Sequence, residues 1–288
     1  MKSAAKYLLS GAVFAAAGVM PAAAADIYEP TVIESPAYQA PEAMPTEVSG
    51  WYLRGDVGYA WHQARNGEYA IADVGPTLVT ATLFGDSFRG SYTLGAGVGY
   101  KYNHYLRSDV TLDWWGNGQF TGHTFGTCDF GGGAVACTST DVATFSALTL
   151  MANAYVDLGT YGRFTPYVGG GFGGSHVHWG TLRNTACEDG NPANCDTTYH
   201  GGRYDWRFAY ALMAGVSVDV TCSTSADFGY KYQRITSGEM FGTALNAGYG
   251  HDGGISSHQV RAGLRYKLGG CQKPVEVVYQ PEPLPVYK

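Results

Sequence analysis

From Trp51 to Leu268 the chain reads as segments of roughly ten residues in which apolar and polar side chains alternate, separated in turn by very short and very long connections. The first segment places Trp51, Leu53, Val57, Tyr59 and Trp61 on one face and Tyr52, Arg54, Asp56 and Ala60 on the other. Ten residue steps at about 3.3 Å, tilted about 40°, advance roughly 25 Å, the height of an apolar membrane band, with Trp51 and Trp61 at its two interfaces. One face suits lipid and the other a polar lumen. The pattern predicts strands of a closed transmembrane β-barrel; a half-buried strand of a soluble sandwich is the weaker alternative.

The same alternation recurs seven times. Ser91 to Lys101 turns Tyr92, Leu94, Ala96, Val98 and Tyr100 outward, and Arg107 to Trp115 turns out Val110, Leu112 and Trp114. Phe145 to Asp157 sets Leu148, Leu150, Ala154 and Val156 against Thr149, Asn153, Tyr155 and Asp157, and Thr165 to Val177 is rich in glycine. Trp206 to Asp219 is the most regular, followed by Asp227 to Gln233 and Ser257 to Leu268. The expectation is therefore an all-β fold, a closed antiparallel transmembrane β-barrel of about eight strands, an even number as single-chain barrels require. Short connections (102–105, 158–164, 220–226) alternate with long ones (62–90, 116–143, 178–205, 236–255). Short turns predict the periplasmic end and long loops the exterior, with both termini in the periplasm. Within the first long connection, 77–84 reads either as a hairpin above the membrane or as part of a larger barrel.

Composition accounts for the route and the flanks. Lys2 and Lys6, an apolar stretch from Tyr7 to Val19, then Pro21 and four alanines ending at Ala25 read as a signal peptide over residues 1–25. After it, 26–49 is a proline-rich periplasmic segment, 50–268 the barrel, and 269–288 a second proline-rich periplasmic tail. No stretch after residue 25 is apolar long enough for a membrane helix. The formal charge of -6 becomes more negative once the leader and its two lysines are gone, which gives no electrostatic case for nucleic acid.

With these segments, the chain resembles the small eight-stranded outer-membrane barrels of the OmpA and OmpX type, and in particular the opacity-type, porin-family surface proteins of alphaproteobacteria. Its last strand, with Arg261, Gly263, Tyr266 and Leu268, is similar to the signal through which such proteins engage the barrel-assembly machinery. It departs from that pattern because the chain continues beyond the strand. The resemblance implies residence in the Gram-negative cell outer membrane, among outer-membrane lipid and lipopolysaccharide. The proline-rich tails are expected to reach peptidoglycan or a periplasmic protein.

Three groups of residues are candidates for function. Arg54, Lys101, Arg107, Arg207, Lys231, Arg261, Arg265 and Lys267 share the inward face with Asp56, Asp109, Asp113, Asp157, Asp219 and Asp227. In a lumen that side chains just fill, these charges are expected to pair as a plug, or else to line a narrow solute channel. Six cysteines sort by topology into Cys128 with Cys137, Cys187 with Cys195, and Cys222 with Cys271, with exchange between the outer couples left open. His176 and His178, two apart and facing one way, are the candidates for a metal or haem iron, with His62, His123, His200 and His251 in the outer connections; plain surface histidines are the alternative.

No nucleophile motif is recognisable near His251, Asp252 or His258, so neither an enzyme nor a resident cofactor is expected. The reading is a structural and surface barrel that supports envelope integrity and surface interactions. A narrow diffusion porin is the runner-up, and a haemin or metal surface receptor the third reading.

Overall fold

The computed structural model describes residues 49–64, 68–72, 78–82, 84–242 and 247–269. The leader, nearly all of both proline-rich segments and Cys271 lie outside the described residues. Eight strands form the frame: β1 (Gly50–Ala64), β2 (Ser91–Lys101), β3 (Leu106–Asp129), β4 (Ala134–Asp157), β5 (Phe164–Trp179), β6 (Arg203–Asp219), β7 (Thr224–Ile235) and β8 (Ile255–Lys267). Each pairs antiparallel with its neighbours in this series, and β1 pairs with β8 over Tyr52 to Ala64. The sheet therefore closes as a ring of eight, which satisfies every ladder without an edge in the membrane.

Two of the three short turns are built by local side-chain chemistry. The Asn103 side-chain oxygen accepts from the backbone N–H groups of Tyr105 and Leu106, closing 102–105. Thr221 Oγ1 does the same for Ser223 and Thr224 in 220–223. At the other end the connections are long, as expected, but most of their length is strand. β3 and β4 do not stop near Trp115 and Phe145; each runs 24 residues, through a bulge between Trp115 and Gly118, to a tight tip. There the Asp129 carboxylate accepts from Gly131 and Gly133, both at positive φ (93° and 105°) where a side chain would be strained.

This hairpin carries further strands. Leu182–Glu188 pairs with β4 and with Asn191–His200, while Phe84–Phe88 pairs with β3. A separate four-stranded sheet joins Gly238–Glu239, Ala247–Asp252, Glu68–Ala72 and Leu78–Thr82. Because Leu78–Thr82 belongs to that sheet, the larger-barrel alternative for 77–84 is set aside.

Side-chain alternation follows the expected faces. Trp51 and Trp61 are 57% and 50% exposed, whereas Tyr52, Asp56 and Ala60 between them are buried inside the ring. Aromatic rings meet edge-on at both margins of the band. Trp51, Tyr100 and Tyr102 are linked at 5.3 and 5.1 Å, and Trp61, Tyr59 and Tyr92 at 5.1 and 5.5 Å.

Cys128–Cys137 and Cys187–Cys195 are disulfide-bonded, with Cα separations of 5.9 and 4.1 Å, each locking one of the outer hairpins. Non-reducing peptide mapping should recover these two links, and a link between Cys222 and the tail at Cys271. A bond joining Cys222 to any of the four outer cysteines would contradict the strand arrangement, since those cysteines lie at the opposite end of the barrel.

Candidate functional site: the filled lumen

The inward charges converge into one connected group across β1, β3, β7 and β8. Arg54 grips Asp56 through a two-pronged contact at 2.9 and 2.7 Å and reaches Asp109 at 2.8 Å. Arg261 bridges Asp56 at 3.3 Å and Asp113 at 2.7 Å, and Lys231 closes on the other oxygen of Asp113 at 2.8 Å. Asp109 additionally accepts from Asn153 at 2.8 Å and from Tyr52 at 3.1 Å. Nearer the short turns, Asp157 receives Arg107 at 3.0 Å and faces Lys101 at 4.0 Å, and Arg265 lies 3.5 Å from Asp227. A buried carboxylate without a partner is strongly unfavourable, and each of these five has one.

Tyrosines close the space between the pairs. The Arg107 guanidinium lies 4.5 Å from the ring centroids of both Tyr155 and Tyr167, and Arg265 packs over Tyr52 at 5.4 Å. Room for these bulky groups comes from glycines on the adjoining strands. A Cβ at Gly99 would strike the Tyr52 ring, one at Gly215 the Tyr167 ring, and one at Gly95 both Asp113 and Arg261. Between these side chains lies a small cavity of about 20 Å³ lined by Arg54, Tyr155, Tyr167, Met213, Lys231 and Arg261 among others. That is the size of one water molecule rather than a pathway.

Above the charges the lumen changes character. Thr149, Ser175 and Gln233 form a hydrogen-bonded belt, and beyond it Trp115, Phe120, Phe145, Trp179, Leu182, Ile235, Met240, Phe241 and Ile255 make a buried apolar core. This core reaches out of the ring to Phe120 and Leu182 of the long hairpins and to Met240 and Phe241 of the fourth connection.

Three expected members of the charge network stand apart from it. Arg207 lies at the outer end, where it meets Asp205 at 3.1 Å, Asp252 at 2.6 Å and the Glu239 carbonyl. It fastens the fourth outer connection to β6. Burial raises the affinity of the Asp252 carboxyl for a proton, and Arg207 opposes that shift. Asp219 is the last residue of β6 and is half-buried; its carboxylate accepts from Ser225 at 2.6 Å. Among the described residues neither Asp219 nor Lys267 enters an ion pair. Strand ends are open to water, so nothing there forces a pairing.

The histidines do not assemble into a rim cluster. His176 and His178 share a face, as their spacing requires, but it is the barrel exterior, where His178 stacks on Tyr204 at 4.2 Å and His176 lies 5.0 Å from Trp206. His62 is buried in the lumen, bonded to Ser91 at 2.9 Å and packed against Trp115, rather than placed in a surface loop. His200 is buried as well. Among the described residues no three His, Cys, Asp or Glu side chains are grouped to hold a metal. In the last strand Arg261 and Gly263 point into the lumen, while Tyr266 and Leu268 are exposed on the outside.

Comparison with known proteins accords with this geometry. The family described as outer membrane protein beta-barrel domain matches residues 12–267. An uncharacterized protein of Brucella abortus (strain 2308) is 35% identical over 276 residues, covering 87% of this chain and 94% of its own. A counterpart from Brucella melitensis biotype 1 matches to the same extent. Among solved structures, OprG from Pseudomonas aeruginosa is 12% identical with a TM-score of 0.43, covering 76% of this chain and 97% of its own. Neisserial surface protein A is 18% identical with a TM-score of 0.39, covering 77% and 100%.

The network separates inward aspartates by depth. Asp113→Asn, which strands Lys231 and half of Arg261, should destabilise the refolded barrel by about 3–5 kcal/mol. Asp219→Asn, which disturbs one hydrogen bond at a strand end, should cost no more than about 1 kcal/mol. Urea unfolding of the two variants in the same lipid decides the point, and equal effects would refute the assignment.

Proposed function

The chain belongs to the outer-membrane protein beta-barrel domain family, and on that premise we propose a non-conducting barrel that braces the envelope and presents its outer strands to the exterior. It resides in the Gram-negative outer membrane. The observation that carries the reading is the filled lumen. Five ion-paired carboxylates, three inward tyrosines and an apolar core stand in series along the axis, and the cavity among the charges holds about one water.

In this reading the long-connection end faces outward and the short turns face the periplasm, so the disulfide-locked hairpins are the presented surface. Rigid β-structure there, rather than coil, suits a surface that meets proteases and partners. Most of the charges that would line a narrow porin are engaged with one another, and His176 and His178 pack against aromatic rings, which supports this reading over the narrow porin and the metal receptor. Arg261, Gly263, Tyr266 and Leu268 would serve recognition by the assembly machinery, and the proline-rich tails would reach peptidoglycan or a periplasmic protein.

Planar-bilayer recording of the refolded protein tests the reading. It should show no stepwise single-channel currents above those of a protein-free bilayer. Reproducible steps in the wild-type protein would contradict it and restore the porin.

A further inference from the structure

The outward faces of the eight strands are almost free of ionisable groups other than tyrosine. Followed from the short turns, no outward position carries a carboxylate until Asp129 at the tip of the β3–β4 hairpin. Basic groups are equally absent through the apolar band. They return together at its outer margin: Arg234 on β7, His258 on β8, and His176 and His178 on β5, with His123 higher on the hairpin.

Arg234 and His258 are adjacent. In the ladder Tyr232 pairs with His258 and Arg234 with Ser256, and on the other side His258 pairs with Trp61 of the outer aromatic margin. Arg234 thus stands one outward position beyond the level of Trp61. Its guanidinium donates to Ser256 Oγ at 2.8 Å and to the Gly253 carbonyl at 2.6 Å. Both acceptors are neutral, and among the described residues Arg234 forms no ion pair, unlike the lumen arginines. The His258 ring is bonded through Nδ1 to Tyr230 Oη at 2.5 Å and lies 5.2 Å from Tyr232, which leaves Nε2 as the nitrogen free to meet a ligand.

We propose that Arg234 and His258 form a docking site for phosphate groups on outer-leaflet lipid headgroups. A membrane-facing arginine is costly at the midplane and tolerated at the interface, where aromatic belts mark the headgroup level. A planar guanidinium matches phosphate oxygens with a fork of donors, and an imidazole N–H adds a second donor. The charge complement points to lipid rather than to a second copy of the chain, because the outward strand faces offer no carboxylate at this level.

The test uses the full mature chain in phosphatidylcholine vesicles doped with acyl-brominated lipid A, either bisphosphorylated or stripped of its phosphates. Quenching of tryptophan fluorescence reports how strongly each lipid is enriched at the barrel. Both leaflets carry the probe, so the result does not depend on which end faces outward or on whether the lumen conducts. The wild type should enrich the phosphorylated lipid over the stripped one. Arg234→Gln with His258→Gln should reduce that preference roughly tenfold, the equivalent of one lost charge-assisted hydrogen bond. Heat-shifted gel mobility confirms that the variant is folded. Arg234→Lys, which keeps the charge and loses the fork, is the second variant and should give an intermediate preference. Equal enrichment of the two lipids by the wild type, or a preference unchanged in the variants, would overturn the site.

Discussion

Closing a sheet at eight strands leaves a lumen only as wide as the side chains that fill it, and every other feature of this barrel answers to that confinement. A charge placed inside has no bulk water to fall back on, so it must meet an opposite charge or a hydrogen-bond partner within a few ångströms. The group running from Asp109 through Arg54, Asp56, Arg261 and Asp113 to Lys231 meets the requirement with distances of 2.7 to 3.3 Å across four strands. It joins β1 and β8, the first and last strands, to β3 and β7. The pairs that neutralise the interior therefore also fasten the closure of the ring.

Volume is settled by the same confinement. Large inward residues stand over glycines of neighbouring strands, as Tyr52 does over Gly99 and Tyr167 over Gly215. The inward glycines are thus the negative of the plug, with small positions cut where big ones must lie. The outer half of the lumen solves the filling problem with apolar groups instead. Trp115, Phe145 and Trp179 occupy inward positions, and Met240 and Phe241 of the fourth connection close over them.

The membrane part of the fold was legible because lipid imposes a rule on each outward position. From Leu53 to Leu264 the outward apolar residues mark the strands, and the inward aspartates and arginines mark the lumen. Above the membrane the rule inverts, and legibility ends there. Asn117, Gln119, Thr121, Thr138, Thr140 and Thr144 face water on the outside of β3 and β4, so a strand there reads as a polar loop. The bulge after Trp115 adds a residue that shifts the inward register, placing Phe120 inside where simple alternation from Trp115 would turn it out. Parity puts Arg207 and Asp219 on the inward face but fixes the face of a residue and not its height. Tyr167 carries no charge to mark it, and its cue in the sequence is an inward position among glycines. The isolation of Arg234 from any carboxylate is a property of the pairing register and becomes visible only when neighbouring strands are set side by side.

The central claim is that the inward charges are coupled to one another in a dry interior rather than solvated separately along a channel. A double-mutant cycle between Asp113 and Arg261, with Asp113→Asn, Arg261→Gln and the double variant unfolded in the same lipid, measures that coupling directly. A packed, paired lumen predicts a coupling energy of about 1.5 kcal/mol or more. Additive effects, with a coupling near zero, would mean that water separates the two groups and would contradict the account.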